Sequence, residues 1–256
     1  MSKVAPQTPK GAWYRALEIT LRPLISAITK KDWQGGHYLQ EPGGVVLAMN
    51  HLSWFDPLAS AHFVNDHGRP ARFLAKAEIF KVPLFGTIIK GAGQIPVARG
   101  SADAVSSLKA AIKAVEAGEC VVIYPEGTLT RDPDLWPMVA KTGVARVALA
   151  TGCPVIPAAQ WGPQDIIGPY EKVPHPFPRK TMHIWAGPAV DLDDLRGLPM
   201  TATVLREATE RIMKSITELL AQIRNEEPPA KPFNMRTVSA PDQSPSPQQS
   251  ASGDNA

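Results

Sequence analysis

The apolar run from Gly44 to Met49 leads into Asn50-His51-Leu52-Ser53-Trp54-Phe55-Asp56-Pro57, where two side chains can share acid–base chemistry. His51 and Asp56 are five residues apart. On one continuous helix they would diverge by about 140° at 100° per residue, so they meet only if the chain turns between them. Pro57 favours the first turn of a helix, which predicts Asp56 as the N-cap and His51 in the loop before it. In that geometry the carboxylate holds one imidazole nitrogen and leaves the other basic, able to take a proton from a substrate hydroxyl. The competing role is structural, with Asp56 capping the helix and His51 a satisfied side chain. A third chemistry makes Ser53 the nucleophile of a lipid esterase with His51 as its base, although no Gly-x-Ser-x-Gly turn presents that serine.

Other polar clusters follow other apolar runs. After Cys120–Tyr124 come Pro125, Glu126, Gly127, Thr128, Leu129, Thr130 and Arg131. Such a loop can hydrogen-bond a polyol and pair with a phosphate, for which arginine has the right fork. Arg99 leaves the run 94–97 beside glycines that permit close approach. Lys76 and Lys141 are lesser candidates for anion contacts. His62 and His67 lack the spacing of a metal site, so no metal is expected. No phosphate-binding glycine motif of nucleotide or dinucleotide enzymes is present.

The elements that must position these groups alternate. Runs at 44–49, 71–75, 94–97, 120–124, 154–158 and 181–186 read as short buried strands. Between and after them, Val105, Leu108, Ile112 and Val115 recur at helical spacing, as do residues 142–151 and the series from Leu205 to Ile223, with Gly118 and Gly152 as stops. Strands alternating with helices predict one α/β domain with a mixed, mainly parallel sheet flanked by helices.

The 256 residues with 44% hydrophobic content can bury a sizeable core, and the net charge of +3 is modest. Six of the basic residues fall within 1–36 against two acidic ones. A near-neutral body is poor material for a nucleic-acid surface, so no nucleic-acid partner is expected. Residues 1–36 also carry Trp13, Tyr14, Leu17, Ile19, Leu21, Leu24, Ile25 and Ile28. Mixed charge and Pro23 forbid a span, and the pattern predicts a helix in a membrane interface or, alternatively, one packed on the domain. No signal-peptide core opens the sequence, and Cys120 and Cys153 sit in apolar stretches, as expected of reduced thiols in a cytosolic protein. Beyond 226, Pro, Ser, Gln and Asn dominate and predict disorder. The expected organisation is therefore an interface segment over 1–36, a catalytic domain over 37–225 and a tail over 226–256.

Taken in order, these motifs resemble those of the PlsC-type 1-acyl-sn-glycerol-3-phosphate acyltransferases. Asn50, His51, Ser53 and Asp56 match the family's Asn-His-x-Ser-x-x-Asp, and Gly93 to Arg99 resembles its second motif. Glu126-Gly127-Thr128 matches its third, Val155-Ile156-Pro157-Ala158 its fourth, and 73–86 is also similar. The resemblance implies a peripheral enzyme at the cytoplasmic face of a membrane that moves an acyl group from acyl-CoA or acyl carrier protein to a glycerol-phosphate hydroxyl. Lysophosphatidate is the implied acceptor, with glycerol-3-phosphate or another lysolipid as alternatives, and no cofactor is implied beyond the donor. His51 would be the base and Asp56 its orienter, while Ser53, Lys76, Arg99, Glu126, Gly127, Thr128 and Arg131 would hold substrate. Leu129-Thr130 stand where the family often has Arg-Ser, and Ala98 where it often has an acidic residue.

Overall fold

The structure, a computed structural model, describes residues 10–97 and 101–235, with 101–105 described for their backbone only. In chain order the elements are α1 (Ala12–Ile28), β1 (Thr29–Gln34), β2 (Val45–Met49), α2 (Asp56–Asp66), β3 (Ala71–Lys76), α3 (Phe85–Gly91) and β4 (Ile95–Val97). Then follow α4 (Ser101–Glu116), β5 (Cys120–Ile123), α5 (Gly143–Thr151), β6 (Val155–Trp161), β7 (Lys180–Ala186) and α6 (Ala202–Arg224).

Among the described residues the strands form one sheet in the order β1-β7-β6-β2-β5-β3-β4. All pairings are parallel except that between β6 and β7. Strand β2 is buried along its whole length because both faces are covered. Val46 and Ala48 pack with α4, α5 and α6, whereas Val45, Leu47 and Met49 pack with Phe63 and Val64 of α2. The alternation is that of a pleated strand between two helical layers. Helix α6 shows the same logic, with Leu205, Ala208, Ile212, Ile216 and Leu220 buried along one face.

Three expectations meet the structure here. Residues 29–34, within the segment 1–36 set apart above, form an edge strand paired with β7 from Thr29↔Lys180 to Gln34↔Trp185. Helix α1 is packed on the domain: the Tyr14 hydroxyl donates to Asn65 Oδ1 at 2.9 Å and accepts from the Ala71 N–H at 2.8 Å. Trp13, Ile19 and Leu24 of this helix stay exposed. The tail also starts later than 226, since the Phe233 carbonyl accepts a hydrogen bond from the Val139 N–H at 2.9 Å. The rest of it, 236–256, lies outside the described residues. Cys120 and Cys153 are buried free thiols.

Candidate active site

Two motif-bearing loops leave neighbouring strands at the same end, because β2 and β5 run parallel with Ala48 beside Ile123. Carboxyl ends of central parallel strands form the crevice where α/β proteins bind ligands. The β2 end is fixed sideways as well: Asn50 Oδ1 accepts from the Gln160 N–H at 2.8 Å. Asn50 Nδ2 donates to the Gln160 carbonyl, and Gln160 Nε2 to the Asn50 carbonyl.

His51 then turns out of the strand, and its Nδ1 lies 2.7 Å from Asp56 Oδ2. The same oxygen accepts from the backbone N–H groups of Leu52 and Ser53. An oxygen that receives two backbone N–H groups is an acceptor, so the pattern assigns the imidazole proton to Nδ1 and leaves Nε2 basic. Asp56 is the first residue of α2, with Phe55 at the N-cap, and its carboxylate turns back onto the 51–53 loop. That corrects the expected N-cap: the side chain folds the preceding turn rather than closing the helix. Burial pushes the Asp56 carboxyl above its usual range, against the pull of His51 and the two N–H groups. Its Oδ1 is buried without a hydrogen-bond partner among the described residues. The His51 side chain keeps 14% exposure.

The loop after β5 wraps the same histidine. Glu126 Oε1 accepts from the His51 N–H and Oε2 from the Met138 N–H, each at 3.0 Å, while the Thr130 N–H donates to the His51 carbonyl at 2.8 Å. Glu126 is 1% exposed, and burial pushes its carboxyl up to about 8. It therefore braces the backbone of His51 from inside the protein, where the sequence reading had it hold substrate. Tyr124 stacks on the His51 ring at 4.2 Å between centroids and 12° between planes. Burial holds its phenol well above the ordinary value, so the hydroxyl keeps its proton.

Ser53 is also corrected. It is fully buried, its hydroxyl donates to the Ile167 carbonyl at 2.6 Å and accepts from the Phe55 N–H at 3.0 Å. In this geometry the hydroxyl is taken up by backbone partners and has no surface open to a substrate. Gly127 is exposed with φ +71°, and a Cβ there would lie 3.0 Å from Lys141 Nζ. Only glycine takes this left-handed turn without strain and lets the lysine chain cross it. Thr128 is half-buried and Arg131 exposed, with the Arg131 guanidinium 6.0 Å from the Tyr170 ring. Lys76 ends β3, with Nζ 5.3 Å from the ring of Trp54, which is itself exposed. Arg99 lies outside the described residues.

The sequence reading missed Tyr124 and Gln160. Each closes an apolar run and reads as core, and the only signal was a hydrogen-bonding side chain at the end of a buried strand. No group of three or more potential metal ligands occurs among the described residues.

The family model for acyltransferases matches residues 31–161. A 1-acyl-sn-glycerol-3-phosphate acyltransferase of Bacillus subtilis is 30% identical over 127 residues, which is 50% of this chain and 60% of that protein. A chloroplastic 1-acyl-sn-glycerol-3-phosphate acyltransferase of Brassica napus is 31% identical over 123 residues, 48% of this chain and 34% of that one. A lyso-ornithine lipid O-acyltransferase of Pseudomonas aeruginosa is 36% identical over 87 residues, 34% of this chain and 31% of its own length. The matches thus span about one third to three fifths of these relatives. The fold is like that of the 1-acyl-sn-glycerophosphate acyltransferase from Thermotoga maritima, with a TM-score of 0.60 at 22% identity over 81% of this chain and 80% of that one. Because just over half of the sequence matches, and both loops around His51 lie inside the matched stretch, the chain belongs to the acyltransferase family.

Proposed function

We propose that the chain transfers a fatty acyl group from a thioester donor, acyl-CoA or acyl carrier protein, to the free hydroxyl of 1-acyl-sn-glycerol-3-phosphate at a membrane surface, forming phosphatidic acid. The observation that carries this reading is the Nδ1–Oδ2 bond of 2.7 Å, which leaves Nε2 as the free nitrogen of a ring that keeps 14% exposure. Nε2 takes the hydroxyl proton as the oxygen attacks the thioester carbonyl. The tetrahedral intermediate then expels the thiolate, which leaves as a thiol with the proton from the imidazolium. No cofactor is required, because the thioester is already activated. Lys76, Arg99, Arg131 and Lys141 supply the positive charge for the acceptor phosphate, and Thr128 a hydroxyl for its glycerol portion.

A membrane supplies the acceptor, and the packing of α1 supports docking there. Its exposed Trp13, Ile19 and Leu24 lie on a helix in contact with α3, and Val82, Leu84 and Phe85 are exposed where α3 begins. No helix among the described residues is long and apolar enough to cross a bilayer, so the reading is of attachment at the interface.

The test is turnover of purified protein with acyl-CoA or acyl carrier protein, against lysophosphatidate, glycerol-3-phosphate and lyso-ornithine lipid. The last is included because of the Pseudomonas aeruginosa relative. Lysophosphatidate turns over fastest, and His51→Ala and Asp56→Asn each lower kcat by about 10²–10⁴-fold while remaining folded. Folded variants that consume thioester at the wild-type rate would refute the assignment.

A further inference from the structure

We propose that Tyr124 is a positioning residue of this site, a flat platform that fixes the plane of the His51 imidazole so that Nε2 stays aimed at the acceptor hydroxyl. The inference rests on the proposed role of His51 as base. The bond from Nδ1 to Asp56 Oδ2 fixes one edge of the imidazole but leaves the ring free to swing about that contact. The Tyr124 ring, 4.2 Å away and tilted by only 12°, removes this freedom.

The platform is itself anchored on two sides. Phe73 of β3 continues the stack at 6.4 Å and 18°, so three rings form a column across β3 and the ends of β5 and β2, in the order in which those strands pair. On the hydroxyl side, Tyr124 lies 2.7 Å from Ser60 Oγ. The single Ser60 hydroxyl proton goes to the Asp56 carbonyl, so the phenol is the donor to Ser60. Asp56 and Ser60, one helical turn apart in α2, therefore hold the carboxylate that orients His51 and tether the ring beneath it. The imidazolium formed during turnover also lies over a π face, which attracts positive charge.

Ordinary core packing would let any apolar side chain of similar bulk replace Tyr124, whereas a platform needs a flat ring. Tyr124→Leu is expected to lower kcat by about 10–100-fold, the scale of a small misplacement of a reacting group, with the acceptor KM within about twofold of wild type. Tyr124→Phe keeps the ring and is expected to hold kcat within a few-fold. An NMR readout needs no turnover: the His51 ring protons, assigned by their loss in His51→Ala, carry an upfield ring-current shift in wild type and Tyr124→Phe that disappears in Tyr124→Leu. A folded Tyr124→Leu with unchanged kcat, or a loss seen wholly in KM, overturns the inference. If Tyr124→Leu does not fold, the absence of that shift in wild type overturns it, and its presence together with near-normal Tyr124→Phe turnover sustains it. A wild-type protein that transfers no acyl group sinks the proposed function, and the shift still reports the stack separately.

Discussion

A single oxygen, Asp56 Oδ2, organises the proposed base, since it accepts hydrogen bonds from the imidazole N–H and from the two backbone N–H groups that shape the turn between the pair. The spacing of His51 and Asp56 was legible because only a bend could join them. The fates of Ser53 and Glu126 were not, because each depends on distant backbone: the Ile167 carbonyl for the serine, and the N–H groups of His51 and Met138 for the glutamate. Glu126 gives a test in pH. Its carboxyl titrates at about 8 in the folded chain, against 4.5 ordinarily. Between those values the unfolded chain has lost a proton that the folded chain retains, so this group makes stability fall as pH rises from about 4.5 to 8, by on the order of 1 kcal/mol per pH unit at most. Urea denaturation at pH 5 and pH 8 should show that loss in wild type and a smaller one in Glu126→Gln. An equal slope in both would place the pH dependence elsewhere. At Gly127, Ala is expected to cost about 1–2 kcal/mol for the left-handed backbone and to displace Lys141, read as a lower denaturation midpoint with a higher acceptor KM.

At the scale of elements, all six strands expected from apolar runs are present, because each is short and carries at least one buried apolar residue, most fully in β2, β5 and β6, and burial writes itself into composition. The strand that escaped notice, β1, has the sequence Thr-Lys-Lys-Asp-Trp-Gln, with charges natural to a sheet edge. Its pairing with β7 joins residues about 150 apart, which no local pattern carries. Opposite the candidate site, buried Arg69 gathers the starts of β2 and β5. Its guanidinium donates to the carbonyls of Leu39, Glu41, Gly43 and Gly118 at 2.6–3.2 Å. Arg69→Met leaves those acceptors short of a donor, and a loss of about 2–4 kcal/mol is expected in denaturation. Because the site lies at the far ends of the same strands, kcat measured below the melting transition should stay near wild type. A large fall in kcat without a loss of stability would show that the two ends are coupled.

At the scale of the whole molecule, the basic amphipathic start proved to be part of the packed body with apolar side chains left exposed. Leu24 and Leu84, 60% and 74% exposed, are the substitutions that probe that surface. Leu24→Ser with Leu84→Ser should weaken sedimentation with phosphatidylglycerol-containing vesicles by about 3–10-fold while leaving the fold intact, since each removes exposed apolar area that the membrane would cover. Added salt should weaken it further by screening the lysines. Undiminished binding by the double variant would move the docking surface elsewhere. The pairing of β1 with β7 also sets a timetable for biosynthesis. A ribosome adding about 5–20 residues per second delivers β7 on the order of 10 s after β1 has emerged. Through that interval the early strand has no sheet neighbour to join, although the strands bearing both loops of the candidate site are already available to one another. Synthesis thus holds an open backbone edge in waiting near the start of the chain, and slow elongation through 35–180 is where this protein is most exposed to capture by chaperones or by its own copies.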